Sequence, residues 1–245
     1  MRTLASIVTA LLACAVLSFA PPAEARTVGS GKVATEAREV GDFDAITTEG
    51  AIDIVVRQAA KAAVSVQADD NLLPVIETVV ESRAHGRTLV VRTKRGESLS
   101  WRGDTVKVTV DVVQLRAITS AGSGDVRVES LATPALKLTI AGSSDARLAG
   151  LDTDRLELSI AGSGDVVGAG RARQLKLGIA GSGDADLGAL VADEVSVRIA
   201  GSGNANVTAN RSLDVSVAGS GDVRYGGAAA AVNLSAAGSG TVRKR

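Results

Sequence analysis

Short segments of alternating apolar and polar residues recur along the second half of the chain. They read LKLTI (136–140), LELSI (156–160), LKLGI (175–179), VSVRI (195–199), LDVSV (213–217) and VNLSA (232–236). Because successive side chains of a β-strand point to opposite faces, this pattern predicts strands with one buried and one solvent-facing side. The segments lack the 3.6-residue periodicity of amphipathic helices, so the pattern favours an all-β protein.

Each alternating segment is followed by the same five-residue turn. AGSGD begins at Ala121 and returns as AGSSD at 141, AGSGD at 161 and 180, AGSGN at 200, AGSGD at 218 and AGSGT at 237. The starts are 20, 20, 19, 20, 18 and 19 residues apart. A repeat of this length, built of strands and turns, predicts a parallel β-solenoid in which each coil rises by about 4.8 Å.

Stacking the alternating segments in register predicts three apolar columns that face the interior. They are Leu136, Leu156, Leu175, Val195, Leu213 and Val232; then Leu138, Leu158, Leu177, Val197, Val215 and Leu234; then Ile140, Ile160, Ile179, Ile199, Val217 and Ala236. A second short strand follows each turn, as in DVRV (125–128) and DARL (145–148). We therefore predict a single-domain, right-handed parallel β-helix with two strands and two turns in each coil of about 20 residues.

The glycine, serine and aspartate residues of the turn have a structural explanation. Glycine adopts the backbone angles of a sharp corner, and Ser and Asp side chains hydrogen-bond nearby backbone amides. The alternative is a ladder of carboxylates that binds calcium, formed by Asp125, Asp145, Asp165, Asp184 and Asp222. That ladder is interrupted by Asn204 and Thr241. We expect turn structure, with no cofactor and no bound metal.

The region before residue 116 contains a divergent copy of the repeat. Placing DAITTEGAIDIVVR (44–57) on RAITSAGSGDVRV (116–128) aligns Ile46 with Ile118 and Gly50 with Gly122. Further strand-like stretches occupy residues 63–67, 88–93 and 105–112, and residues 71–76 favour a helical turn. We predict a lead-in at 26–43 and a solenoid at 44–245. Its divergent rungs and less regular N-terminal cap span 44–115, and the regular repeats span 116–245.

Residues 1–25 have the pattern of a signal peptide. Arg2 is followed by an apolar stretch over residues 3–20 and by the small-residue cleavage pattern Ala23-Glu24-Ala25. We expect the mature chain to begin at Arg26 and to be periplasmic, outer-surface or secreted. The alternative is a lipoprotein attached through Cys14, the one cysteine of the chain. No later apolar run reaches the roughly 20 residues that span a bilayer, so we expect no transmembrane segment.

Charge and aromatic content restrict the possible partners. The chain carries 27 Lys and Arg against 27 Asp and Glu, which argues against nucleic acid as a partner. Aromatic residues make up 2% of the sequence, so stacking platforms for sugars or bases are scarce. Trp101, in SLSWRGD, is the candidate binding anchor, with packing against the cap as its alternative role.

Candidate catalytic residues are few. His85 is the one histidine, and no nucleophile-elbow or phosphate-binding loop motif is present. Because parallel β-helices can carry polysaccharide lyase or hydrolase sites, the acids Asp152, Asp154 and Glu157 are candidates for that alternative function. All three occupy positions where surface charge is expected in any case. We therefore expect the protein not to be an enzyme.

Several stretches resemble one bacterial family. GSGKVATEAREVGDFDAITTEGAIDIVVRQ (29–58), ADDNLLPVIETVVE (68–81), LVVRTK (89–94) and the serial AGSGD turns resemble the auto-transporter adhesin head domain, or head GIN domain. The resemblance covers essentially the whole mature chain. It implies an exported, β-helix-like fold with an adhesive role. The resulting prediction is a non-catalytic binding, adhesin-like or scaffold module, with a cell-surface glycan or protein as the expected class of partner.

Overall fold

The computed structural model describes residues 25–83, 86–100 and 106–245. It is nearly all-β, with 73% strand and 1% helix, and forms a β-solenoid of about six turns that are about 20 residues apart. The stacked coils run parallel to one another. The predicted fold class is therefore confirmed, while its right-handed winding stays a prediction.

The described residues before the regular repeats form nine strands and one 3-10 helix. The strands are β1 (Ala25–Val28), β2 (Val33–Arg38), β3 (Ala45–Gly50), β4 (Ile52–Gln58), β5 (Ala63–Asp69), β6 (Ile76–Arg83), β7 (Gly86–Thr93), β8 (Glu97–Ser100) and β9 (Val106–Val112). The 3-10 helix, Leu73–Val75, lies where the sequence predicts a helical turn. β5, β7 and β9 cover the predicted strand-like stretches, whereas β6 occupies a segment for which the alternation predicts no strand.

The regular repeats form ten further strands. They are β10 (Ala117–Gly122), β11 (Val126–Val128), β12 (Leu131–Gly142), β13 (Ala146–Gly162), β14 (Val166–Gly181), β15 (Ala185–Gly201), β16 (Ala205–Gly219), β17 (Val223–Gly226), β18 (Ala231–Gly238) and β19 (Val242–Lys244). The central ones continue through almost a whole coil. Each ends at the first glycine of an AGSGD-type turn, because this glycine has a positive φ, as in Gly162 with φ 132°.

The register of the coils matches the predicted columns. Leu138 lies opposite Leu158, Leu158 opposite Leu177, and Ile160 opposite Ile179. These side chains are at most 2% exposed, so like residues stack directly on one another in the interior. Burial of such branched side chains supplies the main stabilisation of a protein that has few aromatic residues.

Each regular coil contains three inward-facing segments, where the sequence predicts two. In β13 the alternation of buried and exposed residues is interrupted at Ala149–Gly150 and again at Asp154–Arg155. Between these corners, Leu151 and Thr153 face the interior and are 2% and 6% exposed. At each of these corners, two consecutive outward residues bend the extended chain without a glycine-rich turn. The inward-facing segment between them is therefore marked in the sequence only by a break in the alternation.

The N-terminal end of the solenoid is covered by antiparallel strands. β3 and β4 extend the parallel stack below β10 and β11, with Ile46 opposite Ile118 and Gly50 opposite Gly122, as the sequence predicts. Beyond them, β2 pairs antiparallel with β5, β5 with β9, and β6 with β7. The outermost strands carry charged residues, including Glu36 and Glu77, which suits edges that must not pair with other chains.

The opposite end is open. All residues of β18 are exposed, and Val232 and Leu234 of the inward columns are 37% and 47% exposed. The inward columns are therefore fully buried only in the coils below the last one. No helix among the described residues is long and apolar enough to cross a membrane.

Candidate functional site

The aspartates of the turns form a hydrogen-bonded ladder along one corner of the solenoid. Oδ1 of Asp145 accepts the backbone N–H of Asp165 at 2.9 Å, and Oδ1 of Asp165 accepts that of Asp184 at 2.8 Å. The same contact joins Asp53 to Asp125, Asp184 to Asn204, Asn204 to Asp222 and Asp222 to Thr241. Each of these side chains thus binds the backbone of the next coil, which accounts for an acidic residue at the turn.

The ladder carboxylates differ in their electrostatic surroundings. Partial burial raises the pKa of Asp125 above its ordinary value, and the carboxylates of Asp53 and Asp145 raise it further. At the other end, hydrogen bonds from the hydroxyl and then the backbone N–H of Thr241 lower the pKa of Asp222. Repulsion between stacked carboxylates therefore adds to the effect of burial at Asp125.

The alternative of a calcium ladder depends on how the ladder carboxylates are arranged. Within residues 25–83, 86–100 and 106–245, no group of three or more His, Cys, Asp or Glu residues is arranged to hold a metal ion. Oδ1 of Asp145, Asp165, Asp184 and Asp222 accepts a backbone N–H of the next coil in hydrogen bonds of 2.8–2.9 Å. The absence of a bound metal stays a prediction, with calcium binding by this ladder as its alternative.

The three candidate catalytic acids each form an ion pair with a cation on a neighbouring coil. Asp152 pairs with Arg171 at 3.0 Å and Asp154 with Arg173 at 3.3 Å. Glu157 pairs with Lys137, which lies directly opposite it on the neighbouring coil, at 3.7 Å. The structure does not bring these acids into an enclosed site with one another. Their contacts are those of exposed charges that match between coils.

The candidate binding anchor Trp101 lies outside the described residues, as do His85 and most of the predicted signal peptide, including Cys14. The predicted roles of these residues stay predictions.

The sequence analysis missed a long recessed face beside the aspartate ladder. It consists of the outward side chains of β4, β11, β17 and β19, together with the first residues of β13 to β16, and we call it the ladder face. Three adjoining depressions of about 400, 590 and 620 Å³ lie along it. A signal for it exists in the sequence, because an arginine stands two residues after the aspartate in both DVRV and DARL.

Arg127 and Arg147 are central to the ladder face. They lie directly opposite each other on neighbouring coils, and both line the depressions of 590 and 620 Å³. Within the part of the chain that the structure describes, neither guanidinium has an ion pair or a side-chain hydrogen bond. Arg245 crosses the same face and donates hydrogen bonds to Thr208 Oγ1 at 2.6 Å and to the Gly188 carbonyl at 3.3 Å.

Solved structures of similar fold include proteins from Bacteroides and Parabacteroides. A putative adhesin from Bacteroides fragilis NCTC 9343 is 26% identical with a TM-score of 0.81, over 89% of this chain and 100% of that chain. A putative lipid binding protein from Parabacteroides distasonis ATCC 8503 is 27% identical with a TM-score of 0.72, over 90% and 99%. A putative adhesin from Parabacteroides merdae ATCC 43184 is 25% identical with a TM-score of 0.71, over 90% and 99%.

Sequence comparison points to the same group. No curated protein sequence matches the chain. The sequence profile of the family described as "Putative auto-transporter adhesin, head GIN domain" matches residues 42–229, which include the strands from β3 to β17. The resemblance noted in the sequence is thereby confirmed, and the chain belongs to the putative auto-transporter adhesin head GIN domain family.

Proposed function

We propose that the protein is an exported, non-catalytic binding module of the cell envelope that uses the ladder face to contact a cell-surface glycan or protein. The family and the adhesin-named structural relatives support a binding, adhesin-like role. The pattern of a signal peptide in residues 1–25 supports export. The observation that carries the proposal is a recessed, charged face that runs across successive coils.

The contacts of the acids support a non-catalytic role. A general acid or nucleophile needs a perturbed environment and access to the substrate. Asp152, Asp154 and Glu157 instead pair with neighbouring cations, and the ladder carboxylates accept backbone N–H groups. These interactions stabilise the coils, so the acids have a structural use that requires no catalysis.

The location is tested by protease treatment of intact cells that produce the protein. If the ladder face meets partners outside the cell, protease should cut the protein while a periplasmic marker stays intact. Protection until the outer envelope is opened would contradict the adhesin-like role. Mass spectrometry of the purified protein should show a chain that begins at Arg26, whereas a lipid-modified N-terminal Cys14 would establish the lipoprotein alternative.

Binding is tested separately with beads that carry residues 26–245. We expect the beads to be retained on cells or on envelope polysaccharide more than beads carrying an unrelated protein of similar charge. Equal retention of the two kinds of bead would contradict a binding role.

A further inference from the structure

The charge pattern of the ladder face departs from that of the other faces. On other faces several outward charges pair across coils, as in Asp152 with Arg171 and Asp154 with Arg173. Arg127 and Arg147 instead place two like charges on adjacent strands, which are about 4.8 Å apart, and like charges in that arrangement are destabilising. Departures of this kind from a consistent local pattern are expected at functional sites.

The neighbours of the two arginines do not neutralise them. In their own outward column, Val55 lies opposite Arg127 and Val167 lies opposite Arg147. The nearest acidic column is the aspartate ladder, and Oδ1 of Asp145 is already bonded to a backbone N–H of the next coil. Both arginine side chains are exposed, so their guanidinium groups are accessible to a ligand.

The two sides of the arginine pair offer different surroundings. On one side, the depression of 590 Å³ is lined by the carboxylates of Asp53, Asp125, Asp145 and Asp165. On the other side, the lining of the depression of 620 Å³ includes the small residues Ala149, Gly168, Ala169, Gly188 and Ala189, together with Asp186 and Asn206. A ligand in this position meets guanidinium donors in the middle, carboxylate acceptors along one side and a shallow surface on the other.

We propose that Arg127 and Arg147 bind the carboxylate groups of an acidic polysaccharide, whose hydroxyl groups donate hydrogen bonds to the adjacent aspartate ladder. A guanidinium presents paired N–H donors that match a carboxylate. An ionised aspartate has two acceptor oxygens, so one that receives a backbone N–H on Oδ1 still has capacity for a sugar hydroxyl. This inference rests on the proposed binding function and specifies its ligand.

The same surroundings disfavour other anions. A phosphate polymer without free hydroxyl groups offers no hydrogen-bond donors to the ladder carboxylates that line the depression. A lipid would require a deep apolar cavity for its acyl chains, and the depression beside the arginines is shallow and lined in part by alanine and glycine. A sugar polymer with carboxylates and free hydroxyls can bind both the arginine pair and the aspartate ladder.

The test is calorimetric titration of the mature chain, residues 26–245, with oligogalacturonate, a homopolymer of a uronic acid. The fully methyl-esterified oligomer is the matched ligand control, because it keeps the sugar backbone and lacks the charge. We expect binding of the acid form only, and a loss of about tenfold or more in affinity for the double variant Arg127→Gln, Arg147→Gln. Arg198→Gln should bind like the wild type, because Arg198 is an exposed arginine without a salt bridge on another face of β15.

Both arginines are exposed and their like charges repel, so the double variant should melt at or above the wild-type temperature. A loss of affinity in a variant that is still folded can then be assigned to the missing arginines. Absence of wild-type binding, or equal affinity of the double variant, would overturn the inference. Arginine-dependent binding to vesicles of phosphatidylglycerol and phosphatidylcholine, without binding to oligogalacturonate, would overturn it in favour of a lipid. If any of these results overturns the inference, retention of the protein-coated beads on cells would still support the proposed binding function.

Discussion

At the second glycine of the turn, the backbone of one coil lies against a branched side chain of the coil before. A Cβ added to Gly183 would lie 2.8 Å from Ile160 Cγ2, and one added to Gly203 would lie 2.8 Å from Ile179 Cγ2. In the AGSSD turn this position is Ser144, and the residue beneath it is Ser120 in place of isoleucine. The two buried hydroxyls hydrogen-bond at 2.8 Å, so one departure from the repeat compensates the other.

The serine pair should show strong coupling in unfolding experiments. Ser120→Ile alone overfills the site and removes the partner of the buried Ser144 hydroxyl, which should lower the free energy of unfolding by about 1–3 kcal/mol. Adding Ser144→Gly restores the arrangement of the other coils and should recover most of that loss. Urea unfolding of both variants measures the effect, and a double variant no more stable than Ser120→Ile would contradict this account.

The two ends of the aspartate ladder should respond oppositely to pH. Because the folded-state pKa of Asp125 is raised, its contribution to stability is present below its ordinary pKa and is lost as pH rises through the raised value. Because that of Asp222 is lowered, its contribution is present above the ordinary pKa and is lost as pH falls through the lowered value. Asparagine occupies the ladder at Asn204 and makes the same backbone contact, so it is the conservative replacement.

Measured from about pH 3 to pH 7, Asp125→Asn should therefore gain stability relative to the wild type as pH rises. Asp222→Asn should be destabilising near neutral pH, with a cost that shrinks on acidification. Parallel curves for the two variants would show that the different surroundings of these carboxylates have no effect on stability.

At the scale of the strand, the contribution of an inward side chain to the free energy of unfolding depends on the coil in which it lies. Leu158 and Leu234 belong to the same inward column, yet they are 0% and 47% exposed. Leu158 is covered by Leu138 on one side and Leu177 on the other, whereas Leu234 lies in the open last coil. Sequence alone treats the two leucines as equivalent.

Leu158→Ala should lower the free energy of unfolding by about 2–5 kcal/mol, because it leaves a cavity in a closely packed column. Leu234→Ala, its matched control, should cost less than about 1 kcal/mol, because its side chain is half in water already. Denaturant unfolding compares them. Similar costs would mean that the last coil is as well covered as the central ones.

At the scale of the whole molecule, one ladder of turn residues, most of them carboxylates, crosses the regular coils, which makes calcium the natural ion to test. Calcium binds six to eight oxygens at about 2.3–2.6 Å, whereas successive rungs of the ladder are about 4.8 Å apart. Oδ1 of the ladder residues is also used by backbone N–H groups. We expect millimolar calcium to leave the melting temperature of the mature chain unchanged, as magnesium should. A rise that a chelator reverses would instead assign the ladder to calcium.

Much of the architecture follows from the sequence because every regular coil repeats the same type of turn and the same alternation of apolar and polar residues. Glycines such as Gly162 fix where the chain turns, and the period of about 20 residues then fixes which side chains stack. The columns through Leu158 and Ile160 follow from that spacing, and the register of Ile46 with Ile118 follows from the match between residues 44–57 and 116–128. These features depend on local conformation and regular spacing, which a sequence displays directly.

Other features exist only once the coils are stacked. The corner at Asp154–Arg155 has no turn motif, and the antiparallel strands β2, β5 and β6 of the cap pair with partners that no repeat indicates. Arg127 and Arg147 are 20 residues apart in the chain and become neighbours across one strand spacing in the solenoid. The sequence therefore determines the coil and its turns, whereas tertiary structure decides which outward charges are paired and which faces are recessed, because these properties arise between coils and not within them.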